Sequence, residues 1–410
     1  MKYVRQLLWL LSMVCLAGCA NATLPAKPFY LGLSVSVNDS NQILNSAKNV
    51  GSNSIRLDVP WRDIEKTSGS LSMPRAIDQR VAMALALGME PVLILAYGNP
   101  LYDGGDKPRS PAAIAAYARY AAYVTDYFKT KARFVELWNE WDAQTGSTSR
   151  ATPEDYVALI RAAYPRVKQV NPAVVVLSGG ISDDGLQKGF IDAFIQAGGL
   201  NYVDAVSLHP YNFFHTSGTA PEDLVTYLDS IEAKLRDASG GAVPIYITEI
   251  GWPNYQGSYG VSPQVASWYL PRFILLAASR PYIKGVWWYC ARDQGASLTN
   301  KEHNFGIFTW DMAVKPAANT FAGLASLMKT ATAFSSTQSG NKYTVTLKDA
   351  TQKKIADVIW FSESISSPTY VAGKTPTPIS KVTSVPGATS MTTMALTATV
   401  TNAQEPMVIR

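Results

Sequence analysis

The sequence predicts an α/β fold: a (β/α)8 TIM barrel followed by a small C-terminal β-sandwich. Between residues 29 and 331 a short apolar run, a loop and a segment of helical period recur eight times. The apolar runs are continuous and do not alternate with polar residues, as parallel strands covered on both faces require. After residue 332, Ser, Thr and Val dominate, and the pattern becomes that of half-buried strands.

Each of the eight units can be placed in order. Several helices begin with a capping residue followed by proline, as at Ser110-Pro111, Thr152-Pro153 and Ser262-Pro263. The predicted strands are 30–35, 54–59, 91–97, 134–138, 174–178, 205–209, 244–249 and 285–290. The predicted helices are 41–50, 73–87, 111–130, 153–170, 186–197, 221–238, 263–279 and 316–329.

An open, doubly wound sheet is the alternative arrangement of these units. It would carry a glycine fingerprint after its first strand, and the stretch Gly32-Leu33-Ser34-Val35 supplies none. Eight units over about 300 residues therefore favour the closed barrel.

The C-terminal segment, residues 332–410, predicts further strands. Residues 343–347 alternate between polar and apolar side chains, and apolar runs recur at 355–361, 394–400 and 407–409. We expect a β-sandwich packed on the barrel, with a disordered Ser/Thr-rich tail as the alternative.

Composition excludes several classes of protein. The chain has 410 residues, of which 47% are hydrophobic and 16% charged, which is unlike a disordered chain. A net charge of +5 gives no reason to expect nucleic acid as a partner. Three His and three Cys predict neither a zinc site nor a disulfide scaffold, and we expect no metal and no cofactor.

The N-terminal residues have the pattern of a targeting signal. Lys2 and Arg5 precede an apolar run, residues 7–16, that is too short to span a bilayer. The run ends in Leu16-Ala17-Gly18-Cys19, which resembles a bacterial lipobox. This predicts a signal peptide over residues 1–18, lipidation of Cys19, and a linker over residues 19–28. The protein would then be anchored at the cell envelope, in the outer membrane or periplasm of a Gram-negative cell. The alternative is plain secretion, with cleavage after Ala22.

Two glutamates lie at the C-terminal ends of predicted strands, where the active sites of (β/α)8 barrels are found. Glu140 ends the fourth predicted strand and Glu249 ends the seventh, so they face each other across the barrel mouth. Cleavage of a glycosidic bond needs two carboxyl groups that flank the bond. The pair therefore indicates a glycosidase.

The motifs around these residues carry a family resemblance over nearly the whole barrel. Trp138-Asn139-Glu140 and the run from Thr248 to Trp252 resemble clan A, the 4/7 superfamily of retaining glycoside hydrolases. The chain looks most similar to bacterial family 39-like members with a C-terminal β-domain, some of which act on exopolysaccharides.

The resemblance implies a role for each matching residue. Glu140 would be the general acid/base and Glu249 the nucleophile. The residues implied to bind substrate or to orient the nucleophile are Arg56, Asn139, His209, Tyr211, Trp252 and Trp288, with Trp287 as the alternative to Trp288 in register. Six tryptophans at strand ends are expected to form a sugar-binding rim: Trp61, Trp138, Trp141, Trp252, Trp287 and Trp288.

The function predicted is retaining, endo-acting hydrolysis of a polysaccharide by a monomeric, lipid-anchored enzyme. Two alternatives remain open. One is an exo-acting glycosidase on oligosaccharides, and the other is a barrel that binds carbohydrate without cleaving it.

Overall fold

The computed structural model describes residues 26–215, 219–362, 377–382 and 404–410. The predicted signal peptide, Cys19 and the predicted strand 394–400 lie outside the described residues. Within the described part, no helix is both long enough and apolar enough to cross a bilayer.

Eight parallel strands close into a barrel in chain order, which confirms the predicted barrel. Strand β1 closes the ring by pairing with β8 as well as with β2, in the register Tyr30↔Gly285 and Leu33↔Trp288. The strands are β1 (Tyr30–Ser34), β2 (Ser54–Asp58), β3 (Glu90–Leu95), β4 (Phe134–Asn139), β5 (Val175–Ser182), β6 (Val206–His209), β7 (Ile245–Ile250) and β8 (Ile283–Trp288).

Helices follow the strands around the outside of the barrel. At the three predicted caps, the side chains of Ser110, Thr152 and Ser262 each accept a hydrogen bond from the backbone N–H three residues on. The helices are α1 (Asn41–Asn49), α2 (Trp61–Ile64), α3 (Arg75–Ala86), α4 (Pro111–Tyr127), α5 (Pro153–Val170), α6 (Asp183–Gln187), α7 (Phe190–Gln196), α8 (Pro221–Ser239), α9 (Pro263–Ala278) and α10 (Pro316–Met328).

The fifth unit differs from its prediction. The single helix expected over 186–197 is two short helices, because Gly189 adopts φ 78° between α6 and α7. Strand β5 runs to Ser182 and does not stop before the glycine pair. Gly180 is needed inside this strand because a Cβ there would lie 2.0 Å from the His209 imidazole. The longer strand carries Ser182 and the start of α6 to the barrel mouth.

The N-terminal half of the barrel interior is a packed layer of side chains. Trp287 lies in this layer and its indole N–H donates to Ser54 Oγ over 3.0 Å. Gly32 makes room for the indole, since a Cβ on Gly32 would lie 2.1 Å from it. The layer consists of Tyr30, Val92, Phe134, Leu177, Ala205, Tyr246 and Trp287.

The C-terminal residues that the structure describes form one antiparallel sheet of five strands, and the predicted sandwich stays a prediction. The strand order is β12-β13-β11-β10-β9. The strands are β9 (Ala333–Ser339), β10 (Lys342–Lys348), β11 (Lys354–Phe361), β12 (Thr377–Pro378) and β13 (Met407–Ile409). Buried side chains such as Val345 and Trp360 belong to the same core as the barrel helices. The helices thus cover one apolar face of this sheet.

A buried ion pair joins this sheet to the barrel. Trp360 of β11 donates its indole N–H to Glu222 Oε1 of α8 over 2.7 Å. Arg272 of α9 donates from Nε to the same oxygen over 2.8 Å, and the Arg272 side chain has no exposed surface. One carboxylate therefore compensates a buried guanidinium and fixes the sheet against two helices.

We expect Glu222→Ala to lower the free energy of unfolding by about 3–5 kcal/mol, because it leaves Arg272 buried without a counter-charge. Lys234→Ala is the matched control. It breaks a surface pair with Asp192, both half-exposed, and should cost less than about 1 kcal/mol. Urea unfolding followed by circular dichroism measures both, and equal losses would contradict the assignment.

Candidate active site

A cavity of about 830 Å³ opens at the C-terminal ends of the barrel strands. Five of the predicted site residues line it: Arg56, Asn139, Glu140, Tyr211 and Glu249. His209 is fully buried and contacts both glutamates from beneath. The structure therefore brings together residues from four strands that are distant in the sequence.

The two glutamates approach each other closely. One carboxylate oxygen of Glu140 lies within 4.8 Å of one of Glu249. Their contacts differ. Glu140 is bonded by His209 Nδ1 at 2.9 Å and by the Thr145 hydroxyl. Glu249 accepts a hydrogen bond from the Tyr211 hydroxyl over 3.0 Å and pairs with the Arg56 guanidinium.

The backbone around Glu140 is left-handed at two non-glycine residues. Trp138 has φ 82° and Glu140 has φ 48°, a region that costs free energy for residues with a Cβ. The Glu140 N–H bonds to the carbonyl of Gly180 in the neighbouring strand over 2.9 Å. This path turns the Glu140 side chain out of the strand and over the barrel mouth.

Arg56 organises the floor of the cavity, and its main partner was not predicted. Glu136 accepts from Arg56 Nη2 over 2.7 Å and from Nε over 3.2 Å. Arg56 Nη2 also donates to Asn139 Oδ1 over 2.7 Å. The sequence did hold a signal for Glu136, because a glutamate in the middle of the apolar strand β4 needs a buried cation.

The amide of Asn139 is held from both ends. Its oxygen accepts from Arg56, and its nitrogen donates to the Tyr97 hydroxyl over 3.0 Å. Tyr97, from the end of the third strand, is a loop tyrosine that the sequence associates with a groove, but its contact with Asn139 was not predicted. These bonds fix which way the amide points toward the cavity.

His209 and Glu140 titrate as a linked pair. Burial acts to raise the pKa of Glu140, but the hydrogen bonds from His209 and Thr145 outweigh burial and lower the pKa below its usual value. Burial acts to lower the pKa of His209, but the charge of Glu249 and the bond to Glu140 raise it. In the free protein, a shared proton is thus held toward the imidazole.

Asp58, at the end of β2, is another residue of the cavity wall for which the sequence predicted no role. Burial raises the pKa of Asp58 to about 6, against the opposing effect of the Arg56 charge. Among the residues that the structure describes, its carboxylate has no hydrogen-bond or ion-pair partner.

The predicted rim of tryptophans is wrong. All six of these side chains are buried in the core, and none lines the cavity. Trp252 donates to the carbonyl of Thr219 over 2.9 Å, and Trp288 donates to that of Phe305 over 3.3 Å, both outside the barrel strands. Trp287 lies in the sealed half of the barrel. Alternate residues of a strand face opposite ways, so a position near a strand end does not by itself place a side chain in the mouth.

Other aromatic residues line the cavity in their place. Tyr289, which directly follows β8, lines the cavity. Trp310 is 45% exposed and lines the cavity, with the Arg292 guanidinium 4.1 Å from its ring centroid. The remaining aromatic lining residues are Tyr97, Tyr211, Phe213, Phe214 and Phe305.

Glu140, His209 and Glu249 are the one group of described residues whose atoms lie close enough together to hold a metal ion. The Arg56 guanidinium already contacts Glu249 and lies 3.4 Å from His209 Nε2. Because a cation already occupies this position, we assign no metal to it.

Residues 24–294 match the family model for cellulase, glycosyl hydrolase family 5. Among curated proteins, none matches the sequence.

Solved structures share the fold. A family 39 glycoside hydrolase from Bacteroides cellulosilyticus WH2 superposes with a TM-score of 0.74 at 24% identity, covering 92% of this chain and 80% of that one. A GH5_18 protein from Streptomyces cattleya, in complex with GlcNAc, gives a TM-score of 0.59 at 17% identity over 74% and 81%. An exo-β-1,4-mannosidase from Opitutaceae bacterium strain TAV5 gives 0.56 at 20% identity over 73% and 59%.

Thr145→Val should raise the pKa of Glu140, because it removes a hydroxyl that donates to the charged carboxylate. A titration of ¹³C-labelled glutamate side chains, with Glu140→Gln to assign the signal, measures the pKa. Thr148→Val is the control, since Thr148 bonds to Asp106 instead. A lower or unchanged pKa in Thr145→Val would contradict the role given to this contact.

Proposed function

Because the chain belongs to the cellulase family, glycosyl hydrolase family 5, and is a glycosidase, we propose that it hydrolyses its substrate with retention of configuration. The observation that carries this proposal is the separation of the two glutamates. Retaining enzymes hold their carboxyl groups about 5–5.5 Å apart, whereas inverting enzymes leave about 6.5–9.5 Å for a water molecule. Carboxylate oxygens within 4.8 Å of each other leave no such room.

In the first step, Glu249 attacks the anomeric carbon and forms a covalent glycosyl-enzyme, while Glu140 gives a proton to the departing glycosidic oxygen. Arg56 and Tyr211 support this role because both contact the attacking carboxylate and fix its direction. The leaving oxygen takes the proton, so charge is balanced at the bond that breaks.

In the second step, Glu140 accepts a proton from water, whose oxygen attacks the anomeric carbon and releases Glu249. Glu140 must therefore gain and lose a proton in each cycle. The hydrogen bond to His209 suits this task, because the imidazole can hold the proton near Glu140 when substrate is absent. Asn139, fixed by Arg56 and Tyr97, is placed to bond a sugar hydroxyl beside the reacting carbon.

We further propose endo action on a polysaccharide, and the shape of the cavity supports it. Glu140 and Glu249 stand on the fourth and seventh strands of the ring. Trp310 and Arg292 line the cavity on the side of strands one and eight, and Phe214 lines it on the side of strands five and six. Wall residues on both sides of the glutamates give a polymer contacts on both sides of the bond to be cut.

The polymer we propose is an exopolysaccharide of the cell envelope, because the predicted lipid anchor at Cys19 would hold the enzyme there. Exo action on oligosaccharides and binding without cleavage are the competing outcomes.

Glu249→Gln and Glu140→Gln should each reduce turnover by at least about a thousandfold, because each removes a group that acts only in the transition state. A depolymerisation screen over α- and β-linked polysaccharides identifies the substrate, and Thr148→Val serves as the active control. NMR of the first product should show the anomer of the substrate, and early digests should contain products of several lengths. An inverted product, single sugars only, or binding that neither variant changes would each reject the corresponding part of the proposal.

Lipidation is tested in cells. Cys19→Ala should abolish incorporation of labelled palmitate, because it removes the thiol that carries the lipid, and should move the protein from the membrane fraction to the soluble fraction. Cys290→Ala is the control, since this thiol is buried in the barrel. A soluble, unlabelled wild-type protein that begins at residue 23 would show secretion instead.

A further inference from the structure

The walls of the cavity carry many more carboxylates than cations. Eight acidic residues line it, against three basic ones. The acidic residues are Asp39, Asp58, Glu140, Asp183, Asp184, Glu249, Asp293 and Glu302, and the basic residues are Arg56, Arg292 and Lys301.

Each of the three cations already has a carboxylate partner. Arg56 is bound by Glu136 and Glu249. Arg292 pairs with Asp39 over 2.9 Å and donates to the backbone carbonyl of Trp310.

Lys301, which is partly exposed, lies 3.1 Å from Glu302. An anionic sugar would thus find no unpaired cation among the described residues of the cavity wall.

Three of the remaining acids have partners from outside the cavity. Asp293 pairs with Lys315 over 2.7 Å, and Asp184 pairs with Lys188 over 2.7 Å. Asp183 bonds to His215 over 2.6 Å.

Asp58 is the exception, because no described residue bonds to or pairs with its carboxylate. Two further buried polar atoms on the wall, Ser34 Oγ and Asp183 Oδ1, also lack a partner within the described chain. The open positions are thus the Asp58 carboxylate, one carboxylate oxygen of Asp183 and one hydroxyl.

We propose that the cavity selects sugars that are uncharged or positively charged, and that Asp58 is the residue that determines this specificity. Neutral hydroxylated sugars and sugars with a free, protonated amine fit, whereas uronic acids and sulfated sugars are excluded. This inference rests on the proposed glycosidase function and names the class of glycan for the same site.

Electrostatics in a buried site supports this selection. An ionised carboxylate only accepts hydrogen bonds, and it can accept from two neighbouring hydroxyls at once. A protonated amine beside Asp58 adds a charge-assisted bond. A sugar carboxylate or sulfate would bury a second anion beside the first with nothing to compensate it.

The test measures binding and does not depend on turnover. The Glu140→Gln chain is applied to an array of oligosaccharides in matched sets that share a backbone and differ only in charge: uncharged, with a free amine, and with a uronate or sulfate. We expect anionic members to bind at least about tenfold more weakly than their neutral counterparts, and amine-bearing members to bind most tightly.

In the Glu140→Gln background, Asp58→Asn should bring the ratio of the affinity for amine-bearing glycans to that for neutral glycans close to one. It should also strengthen the binding of anionic glycans. Asp63→Asn, whose side chain lies on α2 outside the cavity, is the matched control. Thermal unfolding and circular dichroism check that both variants keep the fold.

Three results would overturn the inference: anionic glycans bound as well as neutral ones, binding of no glycan, or an Asp58→Asn variant that weakens all three charge classes equally. The last result would indicate a merely structural role. Failure of the proposed function is distinguishable from these results, because it would appear as an absence of cleavage in the depolymerisation screen. Cleavage in that screen does not depend on which charge class the array favours.

Discussion

The buried guanidinium of Arg56 is the interaction on which the rest of the site depends. It lies at the centre of the barrel floor, 2% exposed, and is bound by Glu136, Glu249 and Asn139. A buried cation is tolerated only when anions and acceptors surround it. Its presence therefore dictates the positions of residues from strands four and seven, and it pairs with one glutamate of the reacting pair while the other bonds to His209.

A glycine in strand β5 leaves the space that this cluster needs. Gly180 has no Cβ because His209 occupies that space, and the carbonyl of the same glycine holds the turned backbone of Glu140. The imidazole of His209 thus contacts both glutamates from beneath and packs against the neighbouring strand β5. Site and scaffold share the same residues, so the chemistry of the barrel mouth cannot be separated from the packing beneath it.

Charge has a separate consequence at the mouth. The chain carries a net charge of +5, yet acidic residues outnumber basic ones in the lining of its cavity. The cations of the cavity wall are bound by carboxylates of the protein, and Asp58 is left with neither hydrogen-bond nor ion-pair partner within the described chain. Net charge of the whole sequence therefore says little about the ligand, because only the local pairing decides which charges a ligand meets.

The sequence by itself determined the eight strand–helix units and the expectation that Glu140 and Glu249 meet, because periodicity and strand ends can be read along the chain. Only the tertiary structure decided which side chains face the cavity. Trp287 points into the packed interior of the barrel and Trp288 points outward, whereas Tyr289 lines the cavity. Glu136 and Asp58 likewise became site residues only through their spatial neighbours. The physical reason is that the direction of a side chain and the partner of a buried charge depend on strand register and barrel closure, which join residues far apart in the chain.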